Sequence, residues 1–286
     1  MKNKTKNKAK NKAMIIFGLI SLLFLMPIIV EKLGNDTQKI QKVIFKDTEN
    51  TKITYAPNSP LAKKLNTNSK SITNSSKKVL LLFTHSHEAF IPIVKSESGK
   101  IAVYNDTNNI SSFEDIIKKH FSSNSIDAEF LHFDTMGELK KTNRTLPEAY
   151  DVIRPVLASQ LHKRKYDLII DLHRDSENKK KTSITYNGQT FGKLYFVVGE
   201  DNPNYAANIG YAQHISTHLN ELIPGISRGV LGKKGDNVNG VYNQDLAKNM
   251  VLIELGGIDN TQYEIDRTIS VLTKAISIVL KDETTL

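Results

Sequence analysis

Three apolar runs constrain this chain more than any other feature. They are Val79-Leu80-Leu81-Leu82-Phe83, Leu168-Ile169-Ile170 within residues 167–172, and Met250-Val251-Leu252-Ile253. A strand with one face in water alternates apolar and polar residues. A nearly continuous run instead fits a strand covered on both faces, as in a parallel sheet between helices. Each run ends abruptly in polar chemistry. The first leads into Thr84-His85-Ser86-His87-Glu88, the second into Asp171-Leu172-His173-Arg174-Asp175, and the third into Glu254-Leu255-Gly256-Gly257. Reactive groups of open α/β sheets gather at the carboxyl ends of strands. His, Glu and His with a further Glu, brought together from three strand ends, are the makings of a zinc site with a spare carboxylate as base. That combination points to a metal-dependent hydrolase.

The rest of the pattern agrees with an α/β domain over residues 78–286. Strands are expected near 79–83, 128–133, 167–172, 193–199 and 250–255. Amphipathic helices are expected near 112–123, 147–165, 204–221 and 261–281. The alternation predicts a mainly parallel sheet flanked by helices. Pro147 suits the first turn of its helix, with Thr145 as a nearby cap. Residues 225–243 carry five glycines and little periodicity, which reads as a long loop.

The formal net charge is +9. Residues 1–12 carry six lysines and no acid, and residues 31–78 carry ten lysines against four acids. Residues 79–286 therefore hold a net −3, so the basic character belongs to the N-terminal segments and nucleic-acid binding is rejected. Met14 to Val30 is uncharged and mostly apolar, at the short end for a membrane-spanning helix. The lysine-rich flank keeps residues 1–13 in the cytoplasm and sends the bulk of the chain outside. A cleaved signal peptide is the rival, but Val30-Glu31-Lys32-Leu33-Gly34 is a poor processing site. The reading adopted is an anchor at 14–30 followed by a polar tether at 31–77, too sparse in apolar residues for a core. With no cysteine in the chain, any zinc must sit on His and carboxylate.

Each chemical candidate has a plainer reading. His85 and Glu88 form His-x-x-Glu, which alone is equally an ordinary polar loop. His87 complicates the choice, because in an extended conformation it would share a face with His85. His173 sits between acids; Asp171 or Asp175 could accept its second ring proton and fix the tautomer, or the segment is a salt-bridged loop. Arg174 suits a substrate carboxylate, or equally holds the ligand loop. Glu254, partly desolvated at a strand end, suits proton transfer, against the alternative of a core-edge acid. His214 and His218 stand at i, i+4 on a helix, but Ile215 occupies the place where a His-Glu-x-x-His motif needs Glu, so they read as helix surface. The glycines near 229–235 lack P-loop spacing, and no Gly-x-Ser-x-Gly nucleophile motif occurs.

Four segments together resemble the stage II sporulation protein P family. They are Thr84-His85-Ser86-His87-Glu88-Ala89-Phe90-Ile91-Pro92, Asp171-Leu172-His173-Arg174-Asp175, Tyr242-Asn243-Gln244-Asp245-Leu246, and Leu252-Ile253-Glu254-Leu255-Gly256-Gly257-Ile258-Asp259-Asn260. The resemblance runs in order over residues 78–286, and the anchor and tether also fit. One departure is Phe83, which stands where family members often carry the first histidine of His-Thr-His-x-x-Glu. It leaves the ligand role to His85.

The resemblance implies a fold and site like those of zinc-dependent N-acetylmuramoyl-L-alanine amidases. It implies a peptidoglycan hydrolase acting in engulfment during endospore formation. The N-acetylmuramoyl-L-alanine amide is the bond expected to be cut, with the D,D-peptide crosslink as a second candidate. The expected partners are peptidoglycan, the membrane, and sporulation proteins D and M. On this reading Zn2+ is held by His85, Glu88 and His173, Glu254 is the general acid/base, and Arg174, Tyr242, Asn243 and Gln244 contact substrate. A zinc peptidase with another substrate and a catalytically inactive wall-binding module are the alternatives.

Overall fold

The computed structural model describes residues 76–236 and 238–282. The basic tail, the anchor at 14–30 and nearly all of the tether lie outside them. Among the described residues no helix is long and apolar enough to cross a membrane.

A six-stranded sheet forms the centre. In chain order its strands are β1 (Lys77–Leu82), β2 (Ile126–Phe130), β3 (Leu168–Asp175), β6 (Leu194–Gly199), β7 (Ser227–Lys233) and β8 (Met250–Gly257). The spatial order is β2-β1-β3-β8-β6-β7. All neighbouring pairs are parallel except β6 with β8. A separate hairpin joins β4 (Ser183–Tyr186) to β5 (Gln189–Gly192). The helices are α1 (Ile91–Ser98), α2 (Glu114–Ser123), α3 (Thr135–Lys141), α4 (Ala149–Lys163), the short α5 (Lys179–Thr182), α6 (Tyr205–Leu222) and α7 (Gln262–Lys281). This is the mixed α/β architecture with a mainly parallel, helix-flanked sheet.

Strand alternation sorts the core into two layers. Val79, Leu81, Leu168, Ile170, Leu172, Val251, Ile253 and Leu255 face α2, α6 and α7. Leu80, Leu82, Ile169 and Met250 face Ile153 and Leu157 of α4. Both faces are therefore apolar near the strand starts, which is why these runs are continuous in the sequence. Toward the strand ends the α4 face changes character: Asp171, His173 and Glu254 continue the same alternation, and there the first turn of α4 covers the sheet with Tyr150 in place of aliphatic side chains.

Two expectations are corrected. Part of the glycine-rich stretch 225–243 is strand β7, paired in parallel with β6. An edge strand leaves much of itself exposed, so it lacks the apolar run that marks a central strand. The strand expected at 128–133 begins earlier, at Ile126. The helix containing Pro147 starts with a tight turn at 146–148, where the Glu148 carboxylate accepts hydrogen bonds from the Thr145 N–H and hydroxyl at 2.7 and 2.9 Å. That turn sets the entry of α4 and the position of Tyr150.

Candidate metal centre

After β1 the chain does not stay extended. The Glu88 N–H donates to the His85 carbonyl at 3.0 Å, closing a turn over 85–88. The turn sends His85 and Glu88 to one side and His87 to the other, where its Nε2 meets Asp134 at 2.8 Å. His85 and His87 therefore do not share a face, contrary to the extended reading. Glu88 is fixed by its backbone as well: its carbonyl accepts from Ile110 N–H at 2.7 Å, and the segment bridges to Tyr104.

His173 arrives from β3. Its Nδ1 lies 3.7 Å from Glu88 Oε2, while His85 Nδ1 lies 3.4 Å from Glu88 Oε1. The two imidazole rings cross at 88° with centroids 4.8 Å apart. One ligand atom from each of His85, Glu88 and His173 lies within 4.8 Å of the others. Donors bonded to zinc at about 2.0–2.1 Å in a tetrahedral shell stand about 3.4 Å from one another. The donor types fit a zinc site built on these three residues, and both imidazoles approach the Glu88 carboxylate at close to that spacing.

Surrounding charges suit a cation. Asp171 is fully buried. Its carboxylate accepts from the Thr84 N–H at 3.0 Å and the Thr84 hydroxyl at 2.7 Å, and Oδ1 lies 3.0 Å from His173 Nε2. That last contact stands off the ring N–H direction, so it is a charge contact rather than an aligned hydrogen bond. Burial works against charge on Asp171, but His173 and the Thr84 donors outweigh it and hold the carboxyl below its ordinary range. Burial also opposes charge on Glu88. The His85 hydrogen bond, the His173 charge and the Arg174 N–H at 2.7 Å prevail, and its carboxyl too is held low.

Glu254 contrasts with both. Burial pushes its carboxyl up to about 7; His173 and Arg174 oppose the rise, while Glu88 and Asp175 add to it. Its Oε2 is buried without a hydrogen-bond partner. An acid that changes protonation near neutrality and belongs to a residue lining a cavity is suited to moving a proton.

That cavity, of about 770 Å³, is lined by His85, Tyr150, His173, Tyr195, Tyr242, Lys233 and Glu254, among others. Tyr242, expected at the substrate, is among the residues lining the cavity. Arg174, Asn243 and Gln244 are not among the residues lining it. Arg174 follows His173, so alternation turns it to the opposite sheet face. Its guanidinium donates to the carbonyls of Asp175 and Val103 at 3.1 and 2.8 Å. Asn243 donates to the Tyr150 carbonyl at 2.8 Å and accepts from Arg154. Gln244 is wholly buried, accepting from Gly199 N–H and donating to the Val197 carbonyl, each at 2.9 Å. These amides build the wall of the cleft rather than its surface.

Sequence reasoning missed Tyr150. Its ring stacks on His173 at 6.3 Å, meets His85 edge-on at 5.7 Å and meets Tyr242 edge-on at 5.2 Å. It also missed Tyr195, the register partner of Glu254 on β6. Neither lies in a polar motif. Only the tertiary pairing of α4 and β6 with the strand ends brings them in.

A family model described as stage II sporulation protein P matches residues 24–277. The chain belongs to the stage II sporulation protein P family. It is 33% identical over 199 residues to stage II sporulation protein P of Bacillus subtilis, a match covering 69% of this chain and 50% of that protein. The match thus spans half the length of that relative. Among solved structures, the CwlD amidase from Clostridioides difficile, solved in complex with the GerS lipoprotein, is similar with a TM-score of 0.46 and 14% identity over 72% of this chain and 96% of that one. The N-acetylmuramyl-L-alanine amidase Ami1 from Mycobacterium smegmatis is similar with a TM-score of 0.43 and 12% identity, over 73% of this chain and 99% of that one.

Proposed function

We propose that this chain is a zinc-dependent peptidoglycan hydrolase of sporulation, cleaving the amide between N-acetylmuramic acid and L-alanine. The observation that carries the reading is the convergence of His85, Glu88 and His173 beside Glu254, whose buried Oε2 has no partner. Family membership supports the setting. A zinc ion held by the three ligands would supply a Lewis acid for the scissile carbonyl and acidify a water to a pKa near ~7.

The chain's own residues divide the remaining work. The Glu254 carboxylate takes the proton of the attacking water and returns it to the leaving nitrogen. A carboxyl balanced near neutrality can do both. Asp171 holds His173 from behind. Tyr150 packs on both imidazoles and limits their rotation. Tyr195, Tyr242, Val197 and Leu252 give the substrate an apolar and aromatic seat.

The cellular setting belongs to the same proposal. Residues 14–30 anchor the chain, the catalytic domain lies outside the cytoplasm, and sporulation proteins D and M are its partners. The lysine flank and family membership support this. The D,D-crosslink is the second bond to be tested.

The test is a digest of purified sacculi by the full chain, with and without zinc, read by mass spectrometry of the released material. Free stem peptides and intact glycan support the amidase reading. Crosslink cleavage with no free stem peptide would replace it with an endopeptidase. Binding without release would leave a wall-binding module.

A further inference from the structure

The turn that carries Tyr242 is strained. The Gln244 N–H donates to the Val241 carbonyl at 3.0 Å, and the two residues between them, Tyr242 and Asn243, hold φ values of 53° and 56°. Positive φ at both central positions is the signature of a type I′ turn, where Asn and Gly are at home. Asn243 suits its place. Tyr242 does not, because a bulky side chain crowds the backbone there. Strain of this kind persists only where the surroundings over-determine it, and it gathers at functional sites. Here the surroundings are explicit. Asn239 Oδ1 accepts from the N–H groups of Val241 and Tyr242 at 3.2 and 2.5 Å. Asn243 donates to the Tyr150 carbonyl, in the first turn of α4, at 2.8 Å. One turn further along α4, Arg154 donates to Asn243 Oδ1 at 2.9 Å and to both carboxylate oxygens of Asp245 at 2.8 and 2.5 Å. Asn243 is only 4% exposed, so the strained turn is fastened to two successive turns of α4 by a buried side chain.

The fastening delivers a ring. Tyr242 meets Tyr150 edge-on, with centroids 5.2 Å apart and the planes at 79°. Tyr150 lies nearly parallel to the His173 imidazole, at 22°, and edge-on to that of His85. Tyr150 therefore touches Tyr242 and both imidazoles at once, while Asn243 fixes its backbone. The usual means of orienting a ligating imidazole is a hydrogen bond from its other ring nitrogen. The Asp171 contact with His173 Nε2 is not aligned for one. Packing against Tyr150 supplies orientation that the hydrogen bond does not.

We infer that Tyr242, Asn243 and Arg154 form a brace for the candidate metal centre: the fastened turn holds Tyr242 on Tyr150, and Tyr150 sets the rotation of the His85 and His173 imidazoles. All three are positioning residues and none is a ligand. The inference rests on the zinc reading above and adds which residues outside the ligand set decide how tightly the metal is held.

The test uses the full chain, freed of metal and titrated with zinc against a chelator of known affinity, well below the Tm of each variant. Tyr242→Gly removes the ring and suits the positive φ. Its zinc affinity should fall about tenfold, the low end for groups that orient metal ligands. Tyr242→Phe keeps the ring and should hold zinc within about twofold of the unsubstituted chain. Asn243→Gly keeps the backbone of the turn but unfastens it from α4, and should also lose about tenfold. Arg154→Met alters a half-exposed side chain, should show a loss in the same direction, and carries the test if neither glycine variant folds. A purely structural role would lower Tm and leave the zinc affinity of the folded chain alone. Unchanged affinity in the folded variants therefore overturns the inference. A loss in Tyr242→Phe as large as that in Tyr242→Gly overturns it too, because the hydroxyl and not the ring would then be responsible. The hydrolase reading fails separately, through absence of cleavage of sacculi by the unsubstituted zinc-loaded chain, and the zinc titrations still decide the brace.

Discussion

His173 on β3 and Glu254 on β8 are register partners across a parallel strand pair. Partnered residues on adjacent strands lie about 4.8 Å apart and point to the same sheet face. The pairing therefore sets the imidazole of the candidate metal centre beside a protonatable carboxyl without help from any loop. Tyr195 extends the row onto β6.

Glu254→Gln is nearly isosteric and cannot take the proton. It should keep zinc and sacculus binding while muropeptide release falls about 10²–10⁴-fold, the usual contribution of a general base. Zinc analysis and a sacculus digest on one preparation check this. Loss of zinc would move Glu254 into the coordination shell, and near-normal release would remove it from catalysis.

His173→Ala removes one of the three proposed ligands, so stoichiometric zinc and activity should both disappear. His87→Ala should retain both, because His87 faces Asp134 on the other side of the turn. Metal analysis of the two variants separates them. A zinc-free His87 variant would refute the ligand set.

Zinc loading should release protons. Burial disfavours charge on His173, but Asp171, Glu88 and Glu254 outweigh it and push the metal-free imidazole up to about 10. Zinc needs that ring neutral. Affinity should therefore rise with pH across the neutral range, and calorimetry in buffers of different ionisation enthalpy should detect the released protons. The metal-free chain follows the matching linkage. His173 and Glu254 both titrate higher in the folded state than in the unfolded one. Glu254's stabilising contribution is lost as pH rises through about 7, and that of His173 as pH rises from about 6.5 towards about 10. The Tm of the metal-free chain should fall over this window more than that of the zinc-loaded chain. Parallel Tm curves would count against the assignment.

Gln244→Ala should act on stability rather than specificity. It leaves the buried Gly199 N–H and Val197 carbonyl without their side-chain partner. The cost should be about 2–3 kcal/mol, or a fall in Tm of roughly 4–12 °C. Folded Gln244→Ala protein should keep its KM for muramoyl peptides. A raised KM with unchanged Tm would put Gln244 back in the cleft.

The sequence by itself determined the central strands and the polar ends that converge in the candidate centre. Val79–Phe83, Leu168–Ile170 and Met250–Ile253 are apolar on both faces because both faces are covered, and burial of that kind is written residue by residue. His85, Glu88, His173 and Glu254 were legible because polar groups interrupt those runs where a strand must end. What depends on direction or on pairing between distant segments was not legible. Edge strand β7 lacks an apolar run because much of it is exposed. The antiparallel placement of β6 beside β8 depends on a partner remote in sequence. Only the turn closed by Glu88 and His85 decided that His87 leaves the site. Only strand alternation turned Arg174 away, and only the packing of α4 on the strand ends brought Tyr150 against both histidines. Composition and spacing record how well a segment is buried. Which side chains meet is decided by the register of the sheet and the angle at which a helix lies on it.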